Sequence, residues 1–483
     1  MRALPWTVAE SIVNGVAGLA LVFVLAWFLE PREVGQAGVA LAAVGIAEIF
    51  AGLGMIEALV GARSADTRSS DTAFTAVIVA SVATAGLCWL LAGPIGRLYG
   101  DPHIVQLIEV AALILPVNAL VAVPTALLTR KMRAGALTLR MMTSRVTTIV
   151  AIGVLAYLGF GAWALVVGTL IGSLAAVLVL GLTMSRWPRF RFSPSEFRSL
   201  LAFGAALSIE RLMWGSTIRL FWLVVAYIHG PTTLGYFQFA QRLIDETANL
   251  VQTFSIRFGL SFFSALERAG KDPTDAYLKA TRLVTAVAAP TFTGLALVMP
   301  DLIGTIFDLK WVPAVIVAQV IALGWVIAFP RVLAGPVLRA RGRQGGLVIS
   351  AIVSCSVTLA AGLLTGGQSL FIVALVWISR QFIGLPWGLY AVNRYLGISP
   401  RRQIGTCARP LVATALMAAA VLGVTLLVQD LPPIGRLIAL VATGTISYAI
   451  AIALIDRPTL RLGQTLLADM RQVGRANNLA DRR

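Results

Sequence analysis

Between residues 238 and 253 the 483-residue chain sets Gln238, Gln241, Arg242, Asp245, Glu246, Asn249, Gln252 and Thr253 at steps of three and four. On a helix turning about 100° per residue, these eight share one arc of roughly 140°. A guanidinium beside two carboxylates and several amides can hold an anion, balance its charge and exchange it with water, because the arginine fork matches phosphate or carboxylate oxygens. The opposite arc carries Phe239, Ala240, Leu243, Ile244, Leu250, Val251 and Phe254, interrupted by Thr247. Upstream lie Glu210, Arg211 and Arg219 with Trp214 and Trp222, and further ionisable residues, Glu48, Glu57, Glu109, Arg145, Arg257, Arg331 and Arg380, interrupt other apolar runs.

Those runs define the surroundings. Apolar residues make up 58% of the chain and charged ones 13%, with a mean hydropathy of +0.85. The charged share is about half that of soluble domains, so most of the chain has lipid as its solvent. About 20 apolar residues cross the hydrocarbon core as a helix. Windows of that kind fit at 9–29, 36–60, 73–95, 104–128, 138–158, 161–184, 200–228, 233–262, 276–299, 312–338, 345–366, 369–392, 405–428 and 433–455. The expected fold is therefore all-α and polytopic, with about 14 transmembrane helices. The apolar run after Arg2 is too long for a secretory leader and lacks a small-residue cleavage site, so it reads as a retained first span.

A net charge of +17 would point to nucleic acid in a soluble chain, but the basic residues sit in short clusters between spans. With the N-terminus cytoplasmic, 28 of the 39 lysines and arginines fall inside or at inner span ends and 4 fall outside. That imbalance predicts an even span count with both termini cytoplasmic. The stretch from Arg186 through Trp187, Arg189, Phe190 and Arg191 to Phe192 reads as a cytoplasmic headgroup anchor. After Ile455, Leu462, Leu466, Leu467, Met470 and Val473 face away from Arg461, Gln464, Arg471 and Arg475, as in an interfacial helix.

Pro31 and Gly35 open the second window and Pro231 and Gly235 the eighth, an offset of 200 residues. A weaker echo pairs Pro124 and the basic run 130–133 with Pro336 and the basic run 339–343. Repeats six spans apart keep one orientation and are related by an axis along the membrane normal, with a cavity between them. The expected organisation is a six-helix bundle at 1–184, a cytoplasmic linker at 185–199, a second six-helix bundle at 200–400, two further helices at 401–455 and an amphipathic tail at 456–483.

Facing lipid, Arg242, Asp245 and Glu246 would each cost about 2.5 to 3.5 kcal/mol near mid-membrane, so their arc faces protein or water. One reading pairs Arg242 with Asp245 or Glu246 along its own helix and leaves the remaining charges to tie helices together. The favoured reading is a wet, charged substrate path formed by Arg211, Arg219, Gln238, Arg242, Asp245, Glu246, Asn249, Arg257, Arg331 and Arg380. Catalytic, metal and cofactor sites are not expected. Cys88, Cys355 and Cys407 lack metal-type spacing, His103 and His229 stand apart, and no phosphate-binding loop or hydrolase motif occurs.

The stretches 29–35 (LEPREVG), 100–102 (GDP), 158–165 (LGFGAWAL), 192–198 (FSPSEFR) leading to Phe203 and Gly204, 234–243 (LGYFQFAQRL) and 310–314 (KWVPA) make residues 9–345 resemble the polysaccharide flippases of the multidrug/oligosaccharidyl-lipid/polysaccharide exporter superfamily. The resemblance implies two six-helix bundles around a central cavity, two extra helices, and movement of polyprenyl-pyrophosphate-linked sugar repeat units across the bacterial inner membrane by alternating access. Its implied partners are the lipid-linked oligosaccharide, the bilayer and polysaccharide assembly proteins, with no nucleic acid. The chain departs from the pattern at Leu309 and Lys310, where an acidic-basic pair is usual, and beyond residue 345, which leaves the last spans without a role. Two alternatives remain. An ion-coupled exporter of small cationic compounds would want a net acidic cavity, and a glycan polymerase or ligase would want a large external loop with catalytic residues.

Overall fold

The structure is a computed structural model that describes residues 4–52, 54–61, 66–268, 274–329, 332–335, 338 and 345–459. The described residues form α1 Leu4–Phe28, α2 Pro31–Ala51, α3 Met55–Gly61, α4 Thr67–Tyr99, α5 Pro102–Ala111, α6 Ile114–Arg130, α7 Ala134–Tyr157, α8 Ala162–Thr183, α9 Pro194–Arg268, α10 Thr274–Ile306, a 3-10 turn Leu309–Trp311, α11 Ala314–Ala328, α12 Gly345–Leu363, α13 Leu370–Leu396, α14 Pro400–Leu427 and α15 Pro433–Ile455, and no strand. Nine described helices are long and apolar enough to cross a membrane, and three shorter apolar helices accompany them. The chain is thus an all-α, multi-pass membrane protein.

Where they are described, the apolar windows fall largely on helix, and 312–338 leaves α11 after Ala328 for a turn at Val332 and Leu333. The window 36–60 divides at Gly52 to Gly54 into α2 and α3, and 104–128 divides at Ala112 and Leu113 into α5 and α6. In α9, Gly230 has φ 85° and ψ 164°, a backbone conformation that glycine reaches without a Cβ clash, and Pro231 restarts the helix after it. α9 is therefore two arms joined at Gly230.

Contacts gather the chain into two compact units, one holding residues 1–247 and 347–377, the other 248–346 and 378–483. This grouping differs from the repeat boundary near residue 184, because α9 packs on α2 at Arg219, Pro231, Gly235 and Gln238. In the first unit α3, α4 and α6 share a core of Met55, Leu59, Phe74, Val77 and Val123, while α6 and α8 meet through Leu128, Ala176 and Leu180. The segment expected to be a free headgroup anchor is stitched to the start of α4. There the buried Asp71 accepts the Arg189 amide at 2.9 Å and pairs with Arg186 at 3.6 Å, and Trp187 and Phe190 pack on Phe74. Phe190 and Phe192 still expose their rings.

The second unit is organised on α10. Pro290 and Pro300 lie inside this helix, and each removes the amide that would bond the carbonyl four residues earlier. Those carbonyls find donors on neighbouring helices: Tyr448 of α15 donates to the Ala286 carbonyl at 2.5 Å, and Gln319 of α11 donates to that of Ala296 at 2.9 Å. In a bilayer such replacement is required, since no water reaches the freed groups. α15 is held to α10 at two more points, Arg436 to Asp301 at 2.8 Å and Arg282 Nε to Asp456 at 2.9 Å. α15, among the helices left without a role by the sequence, thus braces a helix interrupted by two prolines. The amphipathic tail expected after Ile455 lies beyond the described residues from residue 460 on.

Candidate functional site

Glycines at 35, 38 and 45 occupy one face of α2, and the absent side chains leave notches that α9 fills. A methyl at Gly35 would overlap the Pro231 carbonyl oxygen, and one at Gly235 would overlap that of Pro31. The two Pro-x-x-x-Gly motifs therefore clasp each other reciprocally. Gln238 fills the notch at Gly38 and Arg219 the notch at Gly45, with Arg219 Nη1 donating to the Gly215 carbonyl at 3.2 Å. Phe221, Phe237 and Trp377 pack with centroid separations of 5.0 to 5.8 Å and fix the two arms of α9 on either side of the kink.

Below the clasp the polar arc runs inward. Trp222 Nε1 donates to Gln241 Oε1 at 3.0 Å, and Gln241 Nε2 donates to Asp245 Oδ2 at 3.1 Å. One residue further on, Glu246 Oε1 lies 3.8 Å from Arg145 Nη2 of α7. The Glu246 carboxyl rests where Gly18 of α1 has no side chain. Arg242 interacts electrostatically with both Arg145 and Glu246. The site is thus built from α1, α2, α7 and α9, with Arg145 and Arg242 beside Glu246 and Arg219 seated apart from them at Gly45.

The structure brings Gln238, Arg242, Asp245 and Glu246 together and adds Arg219 one notch away. From Gln238 to Glu246 the arc packs against protein, and on the opposite face Phe239, Ala240, Ile244 and Ala248 are inaccessible. Asn249 is exposed on α9 and Arg380 is half-buried on α13, both in the second unit. Arg331 and the side chains of Arg211 and Arg257 lie outside the described residues. Arg145, Trp222 and Gly18 belong to this site but not to the substrate path expected from the sequence. Arg145 was visible as a charge inside an apolar run, but its partner lies 101 residues away and no local period connects them.

Among the described residues no cluster of three His, Cys, Asp or Glu can hold a metal, and the three cysteines are free. At the α4 to α5 turn, Asp101 accepts from Gln36 at 2.6 Å, from Arg32 at 3.1 Å and from the His103 amide at 3.1 Å. Burial pushes its carboxyl up, but these three donors together outweigh burial and hold it below the usual aspartate range.

Residues 24–316 match the polysaccharide biosynthesis protein family. The chain belongs to that family. It is 25% identical over 472 residues to the succinoglycan biosynthesis transport protein ExoT of Rhizobium meliloti, covering 95% of this chain and 94% of that one. It is 23% identical over 288 residues to the teichuronic acid biosynthesis protein TuaB of Bacillus subtilis, covering 58% and 59%. Its fold is similar to that of the lipid II flippase MurJ in an inward closed conformation, with a TM-score of 0.78, 15% identity, and coverage of 94% of this chain and 100% of MurJ. An inward-facing multidrug resistance MATE transporter matches at a TM-score of 0.62 and 15% identity, covering 82% and 95%. The all-α, multi-pass fold expected from the sequence is the fold these likenesses share.

Proposed function

We propose that this protein moves polyprenyl-pyrophosphate-linked oligosaccharide units across the bacterial inner membrane by alternating access. The observation that supports it most is the polar arc of α9 with Arg242, packed against α1, α2 and α7 and joined there by Arg145 of α7, in a member of a polysaccharide biosynthesis family. The forks of Arg145 and Arg242 suit a pyrophosphate head, while the polyprenyl tail stays in lipid. A small-cation exporter of the same fold is disfavoured by the surplus of arginine. In this reading Arg242 and Arg219 hold the anionic head, Asp245 or Glu246 balances the charge, and Arg211, Gln238, Asn249, Arg257, Arg331 and Arg380 extend the path. The bundles 1–184 and 200–400 are the moving halves, both termini are cytoplasmic, and polysaccharide assembly proteins supply and receive the glycan.

The protein has no catalytic step of its own in this scheme, and uphill movement draws on an ion gradient or on consumption of product outside. Purified protein in liposomes should carry a fluorescent polyprenyl-linked saccharide between leaflets without nucleotide. A strict need for ATP hydrolysed by this chain would overturn the reading. Single-cysteine variants at positions 186 and 401 should label from the cytoplasmic side only, and labelling of either from outside intact cells would refute the orientation.

A further inference from the structure

Asp245 and Glu246 are adjacent carboxylates in unlike settings. Asp245 is positioned by Gln241, itself fixed by Trp222, so its Oδ2 is engaged in a chain of hydrogen bonds. Glu246 has its one ion pair among the described residues with Arg145, at 3.8 Å, longer than a hydrogen bond. Its carboxyl is cradled by the missing side chain of Gly18, and Arg242 approaches from its own helix. An arginine from α7, an arginine from α9 and a notch in α1 therefore converge on one carboxylate.

We propose that Glu246 is a built-in counter-anion, occupying between Arg145 and Arg242 the position that a phosphate group of the substrate takes. This rests on the reading that the arc of α9 lies on the path of an anionic headgroup. Arg145 then becomes a second anion-binding residue, contributed by a helix outside the polar arc. Substrate entry is an exchange in which an incoming phosphate displaces a carboxylate. A singly charged anion gains little from that exchange, because it replaces one negative charge by another, whereas a pyrophosphate brings more charge and more acceptor oxygens to the same two forks. Selectivity for a diphosphate head over small monoanions follows. The loose 3.8 Å contact fits this role, since a tightly bonded carboxylate would not yield.

The test measures binding of farnesyl pyrophosphate, with farnesol as the uncharged control, to the full-length protein in nanodiscs of zwitterionic lipid. Removing the internal competitor with Glu246→Gln should tighten farnesyl pyrophosphate binding about tenfold and leave farnesol unchanged, since one displaced like charge is worth roughly that factor in a partly desolvated site. Arg145→Gln should weaken it by about the same factor, and the double variant should lose the gain of Glu246→Gln. Unchanged or weaker binding by folded Glu246→Gln protein would overturn the proposal. If that variant does not fold, Gly18→Ala serves instead: it dislodges the carboxyl from its notch, so tighter binding supports the proposal and unchanged or weaker binding overturns it. Transport by Arg242→Ala separates the two levels. Wild-type transport there removes the path reading itself, whereas lost transport with no tightening in Glu246→Gln removes only the counter-anion.

Discussion

Arg282 with Asp456, which caps α15, and Arg145 with Glu246 are both arginine-carboxylate pairs that join segments far apart in the chain, yet their geometry differs in every respect that decides what a pair can do. Asp456 is inaccessible, and it accepts from Arg282 through Nε and Nη2 and from Thr459 through both its amide, at 3.3 Å, and its hydroxyl, at 2.7 Å. Its acceptor sites are filled and the pair has nothing left to offer a ligand. Glu246 instead meets Arg145 at 3.8 Å, and the arginine side chain is 46% exposed. The first arrangement repays desolvation with a full set of hydrogen bonds, as a structural pair in a membrane must. The second leaves acceptors and donors unspent, as a binding site must. Charge alone therefore does not single out a path; the incomplete pairing of Glu246 is what supports the proposed one.

The sharpest way to break this contrast is to cut each pair and ask what is lost. Arg282→Ala strands a buried carboxylate and should cost about 3 to 5 kcal/mol of stability. Thermal unfolding in detergent should show the loss, with transport per folded molecule near wild type. Arg242→Ala should do the reverse. Losing one charged contact to a bound phosphate costs on the order of 2 kcal/mol or more, so transport per folded molecule should fall by about 30-fold while membrane abundance holds. If Arg282→Ala mainly reduces transport, or Arg242→Ala mainly reduces abundance, the two pairs do not differ in the way their geometry implies.

Smaller effects sharpen the structural side. Tyr448→Phe removes the donor to the carbonyl freed by Pro290 and should destabilise by about 1 to 3 kcal/mol, because that oxygen has no water to turn to. Asp101→Asn should cost about 1 kcal/mol at neutral pH, modest because its Arg32 partner is largely solvated. A lowered native carboxyl pKa contributes stability above the ordinary aspartate range and loses it as pH falls through the native value. The gap between wild type and Asp101→Asn in a pH series of melting temperatures should therefore close on acidification.

These contrasts also mark where sequence reading stops. The arc from Gln238 to Glu246 was legible because a helical period acts within one segment, and the cost of charge in lipid then fixes that it faces protein. The Pro31 and Pro231 motifs were legible as a repeat, but not as surfaces that touch. Gly18, Gly38 and Gly45 carried no signal, since a glycine in a membrane helix is too common to announce what fills the space beside it. Arg145 was visible only as a stray charge, and Asp71, at the edge of an apolar window, gave no hint that it ties down the basic-aromatic linker. Periodicity is local, whereas each of these contacts joins segments far apart in the chain.

The central claim is that the polar arc of α9 binds substrate instead of merely neutralising itself. The direct measurement is transport per folded molecule for Arg242→Ala beside the triple variant Arg242→Ala, Asp245→Ala, Glu246→Ala. If the arc forms the substrate path, the triple variant folds and stays as deficient in transport as the single one, because the arginine that grips the headgroup is missing from both. Restoration of transport in the triple variant to near the wild-type rate would show that the arginine serves only to balance its neighbours, and would contradict the account.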